Sequence, residues 1–469
     1  MDVQRFDLVV VGAGPAGERA AILAARAGKS VAVVEKEHVP GGTRVNWGTI
    51  PSKTLRESAL FVHGLTASKL DRIHLAITDE ITIGDFMARE RAVVKRELEL
   101  INKALARYAV TMVRGTGRFA DPHTIEVVDP GGAVVQRLAG DVIVLATGSA
   151  PNHPRDVPFD LETVFDSSTI LWLPRMPKSM IVLGAGVIGI EYAATFAALG
   201  LEVTLVDTRD RLLPYLDREI VGILERELGV LGVTIVHDDH YRVIEKMPGL
   251  PPSVLCLTKA DRTLEADVML YCVGRDGNTA DLALEKVGLA ANARGLIEVD
   301  EFYRTALPHV YAVGDVIGYP ALASTSMEQG RQAVRHAFSI PGPMGRTEVL
   351  PFAIYSIPEV SYIGETEDAL RERGARYFAG RGRYDLNPRG QILGATGGVL
   401  KLLFDADSMQ LLGVHIVGYA AAELVHIGQA YLNGKATAQQ IAETLYNYPT
   451  LSDLYRHAAL EAVLESERS

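Results

Sequence analysis

The sequence of residues 6–35 is FDLVVVGAGPAGERAAILAARAGKSVAVVE, and it decides the fold of the first part of the chain. Its apolar start, residues 6–11, reads as a buried parallel strand. A glycine-rich turn, an alanine-rich helical stretch and a second strand follow directly. This order, with Gly12, Gly14 and Gly17 in the turn, is the dinucleotide-binding fingerprint of a Rossmann unit.

Each residue of this fingerprint has a physical task. Gly12 allows the tight turn, Gly14 lets the backbone approach a pyrophosphate, and Gly17 lets the helix pack close to the strand. The phosphates then face the helix N-terminus. Glu35 ends the second strand and can accept hydrogen bonds from ribose hydroxyls. We therefore expect one dinucleotide at this site.

A second complete fingerprint occupies residues 180–207, which read MIVLGAGVIGIEYAATFAALGLEVTLVD. Two fingerprints in one chain predict two bound dinucleotides. Asp207 ends the second strand of this unit, where a carboxylate favours a free 2′-hydroxyl over a 2′-phosphate. Arg209 and Arg211 lie within reach, and either could bind a phosphate. The sequence therefore predicts NAD(H) and leaves NADP(H) open.

Bulk properties exclude several function classes. The chain has 469 residues, which predicts two or three domains, and a net charge of −11, which argues against nucleic-acid binding. Its cysteines, Cys256 and Cys272, lie in apolar strand-like runs, and we interpret them as small buried hydrophobic residues. We expect a cytoplasmic protein with no signal peptide, no membrane span and no metal site.

Residues 41–53 read GGTRVNWGTIPSK. This stretch resembles the flavin-facing helix of the pyridine nucleotide–disulfide oxidoreductases (class I). In that family, two cysteines that form a redox disulfide occupy the positions of Arg44 and Thr49. Disulfide exchange needs a thiolate, which neither residue supplies. The sequence thus resembles a flavoprotein that keeps its flavin pocket and lacks the dithiol relay.

The resemblance extends over nearly the whole chain and implies its domain organisation. The fold class is α/β, with two Rossmann-like dinucleotide-binding domains and a C-terminal α+β dimerisation domain. The FAD-binding domain is expected at residues 1–150 and 280–345. The NAD(P)-binding domain is expected at 151–279, and the dimerisation (interface) domain at 346–469. A homodimer or a higher homo-oligomer follows from that last domain.

The resemblance also implies a set of cofactor contacts. Residues 305–315 match the second FAD motif of the family, and Asp315 would hold the ribityl chain by a charge-assisted bond. The expected FAD contacts are Gly12, Gly14, Gly17, Glu35, Lys36, Gly42, Thr43, Lys53, Gly117, Thr147, Gly148, Asp315 and Ala323. The expected contacts to the nicotinamide nucleotide are Gly184, Gly186, Gly189, Asp207, Arg209 and Gly274.

Lys53 and Glu191 are the expected catalytic residues. In the family they pair beside the reactive flavin nitrogen, where an ammonium group stabilises the anionic reduced flavin. The acid–base histidine of the disulfide reductases is replaced by Tyr448, and a tyrosine with a pKa of about 10 is a poor base at neutral pH. His457 lies nearby at a different spacing, and we interpret it as structural.

Short stretches narrow the resemblance to the soluble pyridine nucleotide transhydrogenases, the Si-specific FAD enzymes of this family. These stretches are residues 47–49, 208–213, 318–320 and 447–450. Such an enzyme would move hydride between NADPH and NAD⁺. An NAD(P)H:quinone or dye reductase (diaphorase) and a non-catalytic flavin- or nucleotide-binding sensor are the alternatives. The retained Lys53–Glu191 pair argues against the sensor.

Overall fold

The computed structural model describes residues 2–67, 83–345 and 349–468. The expected start of the dimerisation domain at residue 346 lies outside these ranges. The strands, in chain order, are β1 Val3–Val11, β2 Val31–Glu35, β3 Thr111–Arg114, β4 Thr116–Asp121, β5 Thr124–Val128, β6 Val134–Leu145, β7 Ser149–Pro151, β8 Val164–Asp166, β9 Ser179–Leu183, β10 Glu202–Val206, β11 Val233–Val236, β12 Tyr241–Met247, β13 Ser253–Thr258, β14 Thr263–Ala266, β15 Val268–Tyr271, β16 Arg275–Gly277, β17 Val310–Ala312, β18 Phe352–Ile354, β19 Glu359–Gly364, β20 Tyr377–Arg383, β21 Val399–Asp405 and β22 Leu411–Gly418.

Helices alternate with these strands in the first part of the chain. Among the described residues, no helix is both long enough and apolar enough to cross a membrane. The α-helices are α1 Pro15–Arg26, α2 Gly42–Asn46, α3 Thr49–Ala67, α4 Ile83–Arg107, α5 Val187–Ala198, α6 Arg218–Val230, α7 Ala323–Phe338, α8 Glu367–Glu372, α9 Pro388–Leu393, α10 Ala421–Asn433, α11 Ala438–Glu443 and α12 Leu454–Ser466.

The first sheet has seven strands and carries the first fingerprint. Its path is β3-β2-β1-β6-β5-β4, and β17 adds to β6. Strands β1, β2, β3, β6 and β17 are parallel. Because β17 comes late in the chain, residues 310–312 return to a sheet that starts at residue 3. The carboxyl ends of β1, β6 and β17 therefore meet at one edge, where ligands of such sheets bind.

The second sheet is fully parallel and carries the second fingerprint. Its order is β11-β10-β9-β15-β8, and a smaller antiparallel sheet, β12-β13-β14, lies beside it. Strands β9 and β15 of this sheet are buried and apolar over almost their whole length, as expected for strands covered on both faces. Helix α5 is equally apolar and is buried from Gly189 to Ala198. The core residues of this unit also contact Leu55 of α3, which joins the two fingerprint units.

The third sheet is antiparallel, in the order β18-β19-β22-β21-β20. Helix α12 packs against β20 at very short range, because glycines on that strand leave room for the helix backbone. A Cβ atom on Gly380 would lie 1.8 Å from the carbonyl oxygen of Ala458. The sequence pattern predicts a β-rich region from about residue 348, and strands β18–β22 confirm it for the described residues from 349 onward.

The sequence pattern predicts one strand at residues 110–119 and a β-rich stretch at residues 390–404, and the structure corrects both predictions. The first strand is broken into β3 and β4 at Gly115, which has a positive φ of 145°. The β-rich stretch begins later than predicted, because residues 388–393 form α9, which Asn387 caps and Pro388 starts. In both cases a local turn or cap, rather than the apolar pattern, determines the backbone conformation.

Lys401 forms a buried ionic cluster where α6 of the second unit meets the third sheet. Its side chain is 0% exposed, and its Nζ atom lies 2.9 Å from Asp217, 3.0 Å from Glu219 and 2.9 Å from Glu367. Burial opposes the lysine charge, but these carboxylates raise the pKa of Lys401 above its ordinary value. Arg381 binds the outer face of Glu219 through paired bonds. The cluster fixes the second unit against the C-terminal sheet.

Lys401→Met should destabilise the protein by about 3 kcal/mol, because it leaves buried carboxylates without their cation. Chemical denaturation followed by circular dichroism measures the loss. Lys103→Met, at an exposed position of α4, is the control and should change stability by less than about 0.5 kcal/mol. Equal stability of the two variants would show that the cluster does not hold the units together.

Candidate active site

The first fingerprint is shaped by close backbone contacts. Gly12 has a positive φ of 103°, and a Cβ atom on it would lie 2.3 Å from the carbonyl oxygen of Ala146. A Cβ atom on Gly17 would lie 1.9 Å from the carbonyl oxygen of Gly12. Gly14 is different, since a Cβ atom there would meet only the Cα atom of Gly42, at 3.9 Å. Gly14 thus leaves space at the start of α1, as an approaching ligand requires.

The other residues expected around the first dinucleotide lie at the same edge of the sheet. Glu35 ends β2 and accepts a bond of 2.7 Å from the amide of Ala13, and burial raises the pKa of its carboxyl. Lys36 follows Glu35 and is exposed, and Thr43 lies in α2. Gly117 of β4 packs on Val11 of β1. Thr147 and Gly148 follow β6, and Ala323 is the first residue of α7.

Asp315 lies directly after β17, at the start of a short 3₁₀ helix, Gly314–Ile317. One carboxylate oxygen accepts a 2.9 Å hydrogen bond from the Ser149 hydroxyl. Gly314 is tight against the first turn of α1, since a Cβ atom on it would lie 3.2 Å from the Cβ atom of Ala16. Asp315 is therefore held beside the helix that starts at the first fingerprint.

The second fingerprint repeats the geometry of the first. A Cβ atom on Gly189 would lie 1.9 Å from the carbonyl oxygen of Gly184, while one on Gly186 would meet nothing within 4 Å. The Asp207 carboxylate accepts a hydrogen bond of 2.6 Å from the amide of Ala185, as the Glu35 carboxylate does from the amide of Ala13. A cavity of about 220 Å³ opens here. It is lined by Leu183, Gly184, Gly186, Val206, Asp207, Thr208, Arg209, Asp239, His240, Cys272, Val273 and Gly274.

The Asp207 carboxylate is not a free charge in this cavity. Arg209 binds both of its oxygens, with Nε and an η nitrogen each at 2.7 Å. Burial opposes the charge of Asp207, but the bonds from Arg209 and the backbone lower the pKa of its carboxyl below the ordinary value. Arg211 donates instead to the carbonyl of Pro214 and lies 3.6 Å from Asp368. Of the two arginines, only Arg209 lines the cavity.

Lys53 and Glu191 meet between the two fingerprint units. Their Nζ and Oε2 atoms are 2.5 Å apart, and their side chains are 25% and 10% exposed. The other oxygen of Glu191 accepts a 2.9 Å bond from the amide of Tyr355, and the ammonium lies 5.2 Å from the centre of the Tyr355 ring. Sequence reasoning predicted the pair but missed Tyr355, which follows β18 and has no motif that marks it.

Arg44 lies in α2 and forms an ion pair with Glu18 of α1. The distance is 3.1 Å, and the Glu18 side chain is only 3% exposed. Burial raises the pKa of the Glu18 carboxyl, and the positive charges of Arg19 and Arg44 oppose this rise. Thr49 begins α3. Arg44 thus pairs with a buried carboxylate, a role that the sequence did not reveal.

The two cysteines are free thiols. Cys256 is fully buried in β13, which confirms its interpretation as a hydrophobic residue. Cys272 is only partly buried, donates to the carbonyls of Leu183 and Gly184, and lines the second cavity. Burial raises the pKa of the thiols, so neither is present as a thiolate at neutral pH.

Family models match almost the whole chain. The pyridine nucleotide-disulphide oxidoreductase model matches residues 6–330, and the dimerisation domain of the same family matches residues 350–459. The chain belongs to the pyridine nucleotide-disulphide oxidoreductase family.

Named relatives in this family are similar over nearly their full length. A soluble pyridine nucleotide transhydrogenase of Mycobacterium tuberculosis is 45% identical over 461 residues, 98% of each chain. One of Pseudomonas putida is 41% identical over 468 residues, 99% of each chain. Among solved structures, LpdA from Mycobacterium tuberculosis has a TM-score of 0.89 at 26% identity, covering 98% of this chain and 99% of its own. The HOCl-induced flavoprotein disulfide reductase RclA from Escherichia coli has a TM-score of 0.85 at 26% identity, covering 97% and 99%.

Membership in the pyridine nucleotide-disulphide oxidoreductase family makes the chain an FAD-dependent oxidoreductase that uses a pyridine nucleotide. The residues at the first fingerprint fit this cofactor. Within the described part of the chain, the Thr147 hydroxyl is buried without a hydrogen-bond partner. Gly14 is open on its outer side. An unsatisfied buried hydroxyl beside open backbone is expected where a ligand supplies the missing bond.

Arg44→Met should destabilise the protein more at about pH 8 than at about pH 5. The raised pKa of Glu18 means that folding favours its protonated form, so stability falls as the pH rises through that pKa. Removal of Arg44 strengthens this effect. Thermal unfolding at several pH values measures it.

Two controls accompany this prediction. Arg44→Lys keeps the charge and should follow the wild type, and Glu18→Gln added to Arg44→Met should remove the pH dependence. A loss of stability that is the same at every pH would contradict the assigned ion pair.

Proposed function

We propose that the chain is a soluble pyridine nucleotide transhydrogenase that moves hydride between NADPH and NAD⁺ through FAD. The observation that supports this proposal most strongly is the Lys53–Glu191 ion pair of 2.5 Å, which lies between the two fingerprint units. The chain has Arg44 and Thr49 at the positions that the family resemblance gives to the redox cysteines. The names of the relatives at 41–45% identity support it. The absence of a cysteine from the stretch 41–53 excludes a dithiol as the electron acceptor there, which leaves a second nucleotide, a quinone, a dye or oxygen.

In this proposal, each cofactor has its own domain, with the boundaries that the sequence predicts. The FAD domain is residues 1–150 and 280–345, the NAD(P) domain is 151–279, and the interface domain is 346–469. The edge formed by β1, β6 and β17 would hold FAD, with Glu35 at the adenosine ribose and Asp315 at the ribityl chain. The second cavity would hold the adenosine part of the nicotinamide nucleotide. We infer a cytoplasmic setting from the unpaired cysteines.

The protein contributes position and charge. FAD, when bound, accepts hydride from one nucleotide and returns it to another. Lys53 would place its ammonium group beside the flavin ring and stabilise negative charge there. Glu191 holds this lysine in place, and the amide of Tyr355 donates to the other oxygen of Glu191. Donor and acceptor would use the second cavity in turn, because the other fingerprint is taken by FAD.

An assay with NADPH and thio-NAD⁺, set beside NADPH and a quinone, tests the function. We expect faster reduction of thio-NAD⁺ than of the quinone. Turnover of the quinone without formation of thio-NADH would instead identify a quinone or dye reductase on the same scaffold.

Lys53→Met should slow reduction of the flavin by about a hundredfold, the usual loss when one stabilising charge is removed from a site of developing negative charge. Flavin content should stay the same. Anaerobic stopped-flow mixing with NADH, followed by bleaching of the flavin, measures the rate. Ser52→Ala is the control, since Ser52 contacts Lys53 only at 3.5 Å. A Lys53→Met enzyme as fast as wild type would rule out the assigned role.

Asp207→Asn should raise kcat/KM for NADPH about tenfold, equal to about 1.4 kcal/mol. The wild type should prefer NADH, because a 2′-phosphate would meet the carboxylate and displace Arg209 from it. Arg211→Gln is the control, as that arginine contacts Pro214 and Asp368 rather than the cavity. A wild type that already prefers NADPH, or an unchanged ratio in Asp207→Asn, would show that Asp207 does not select the nucleotide.

Exposed apolar side chains support a homodimer through the C-terminal domain. Leu445 is 96% exposed and Tyr448 is 74% exposed, both within residues matched by the dimerisation-domain model. Leu445→Asp combined with Tyr448→Asp should convert the dimer to a monomer in light scattering after gel filtration. Leu250→Asp, at an exposed leucine of the second unit, should leave the dimer intact. A wild-type monomer would contradict the proposed interface.

A further inference from the structure

Tyr355 contacts both members of the Lys53–Glu191 pair. It follows β18 in the third sheet, whereas Lys53 lies in α3 and Glu191 lies in α5. Its amide donates a 2.9 Å hydrogen bond to one oxygen of Glu191, and the other oxygen of Glu191 binds Lys53 at 2.5 Å. The Lys53 ammonium also lies over the Tyr355 ring, 5.2 Å from the ring centre. Tyr355 therefore contacts the carboxylate through its backbone and the ammonium through its side chain.

The contact between the ring and the ammonium is a cation–π interaction. A separation of 5.2 Å is within the ~6 Å over which the face of an aromatic ring attracts a cation. Burial and the neighbouring carboxylates raise the pKa of the Tyr355 phenol, so the ring is uncharged at neutral pH. The attraction therefore comes from the ring face and not from a phenolate.

An uncharged second partner suits the task that the proposed function gives to Lys53. A lysine side chain is flexible, and one carboxylate at its end does not fix its whole path. A second carboxylate would weaken the positive field that stabilises negative charge on a flavin. An aromatic ring holds the ammonium without adding a negative charge.

The segment that carries Tyr355 is fastened to the helix that carries Lys53. Arg56 follows Lys53 by three residues, which places both side chains on neighbouring parts of the α3 surface. The Arg56 side chain is 6% exposed. Its Nε donates 3.1 Å to the carbonyl of Ser356, and an η nitrogen lies 3.1 Å from the carboxylate of Glu359. These contacts hold the ring in a fixed relation to the ammonium.

We propose that Tyr355 is a positioning residue for Lys53: its ring fixes the ammonium where it stabilises negative charge on the flavin, and its amide fixes the carboxylate of Glu191. The inference deepens the proposed function and rests on the placement of the flavin beside Lys53. The third sheet carries no part of either fingerprint, yet through Tyr355 it contributes to hydride transfer.

Anaerobic stopped-flow mixing of the holoenzyme with NADH, followed by bleaching of the flavin, tests the inference. Tyr355→Leu removes the ring and keeps the amide, so it should slow bleaching about tenfold. Flavin content and the NADH concentration that gives half of the maximal rate should change less than twofold. Tyr355→Phe keeps the ring and should stay within twofold of wild type. Tyr377→Leu, on the opposite edge strand β20, is the control and should also stay within twofold.

A double variant shows whether Tyr355 acts through Lys53. Added to Lys53→Met, Tyr355→Leu should slow bleaching by less than a further twofold, because the ammonium that the ring positions is already absent. A tenfold slowing in both backgrounds would contradict the inference. So would a Tyr355→Phe enzyme that is as slow as Tyr355→Leu, because the ring face would then not be the part that acts.

The single variants separate this inference from the proposed function. A slow Lys53→Met enzyme beside a Tyr355→Leu enzyme with the wild-type rate would overturn the inference alone. A Lys53→Met enzyme with the wild-type rate would contradict the proposed function and the inference together. If Tyr355→Leu does not fold, Tyr355→Met, with a flexible side chain and no ring, takes its place under the same criteria.

Discussion

The ion pair between Lys53 and Glu191 is the contact on which the rest of the arrangement depends. Lys53 belongs to the helix after the first fingerprint, and Glu191 belongs to the helix of the second. Their 2.5 Å contact is possible only if the two Rossmann units keep one fixed relation. The amide of Tyr355 adds a contact from the C-terminal region, so three parts of the chain meet at one carboxylate. In the proposed function, the pair also supplies a positive charge where electrons would enter and leave the flavin.

Other buried charged side chains in the molecule also form ion pairs with side chains of opposite charge. Lys401 joins the second unit to the C-terminal sheet, Arg44 of α2 pairs with Glu18 of α1, and Arg209 binds Asp207. Buried ionic groups contribute little to stability as pairs but cost much when one partner is lost. They therefore fix geometry, which is what hydride transfer between cofactors demands.

Much of the fold could be read from the sequence because glycine turns and buried strands are local signals. Gly12, Gly184 and their neighbours predicted both Rossmann units, and the resemblance to the family implied that Lys53 and Glu191 form a pair. The contacts of Tyr355, Glu18 and Ser149 could not be predicted, because they join segments distant in the chain and carry no pattern of their own. Helix α9 and the break at Gly115 were missed for a different reason. A cap residue and a positive φ act on a scale of three or four residues, below that of an apolar pattern.

The central claim is that electrons rest on the flavin, without a dithiol, until a second nucleotide removes them. An anaerobic titration with NADPH, followed by addition of thio-NAD⁺, tests it most directly. The account predicts complete bleaching of the flavin at about one equivalent of NADPH per FAD, and return of the flavin colour with formation of thio-NADH. Bleaching that needs about two equivalents would reveal a second two-electron acceptor in the protein. A bleached flavin that thio-NAD⁺ cannot reoxidise would contradict the transhydrogenase assignment.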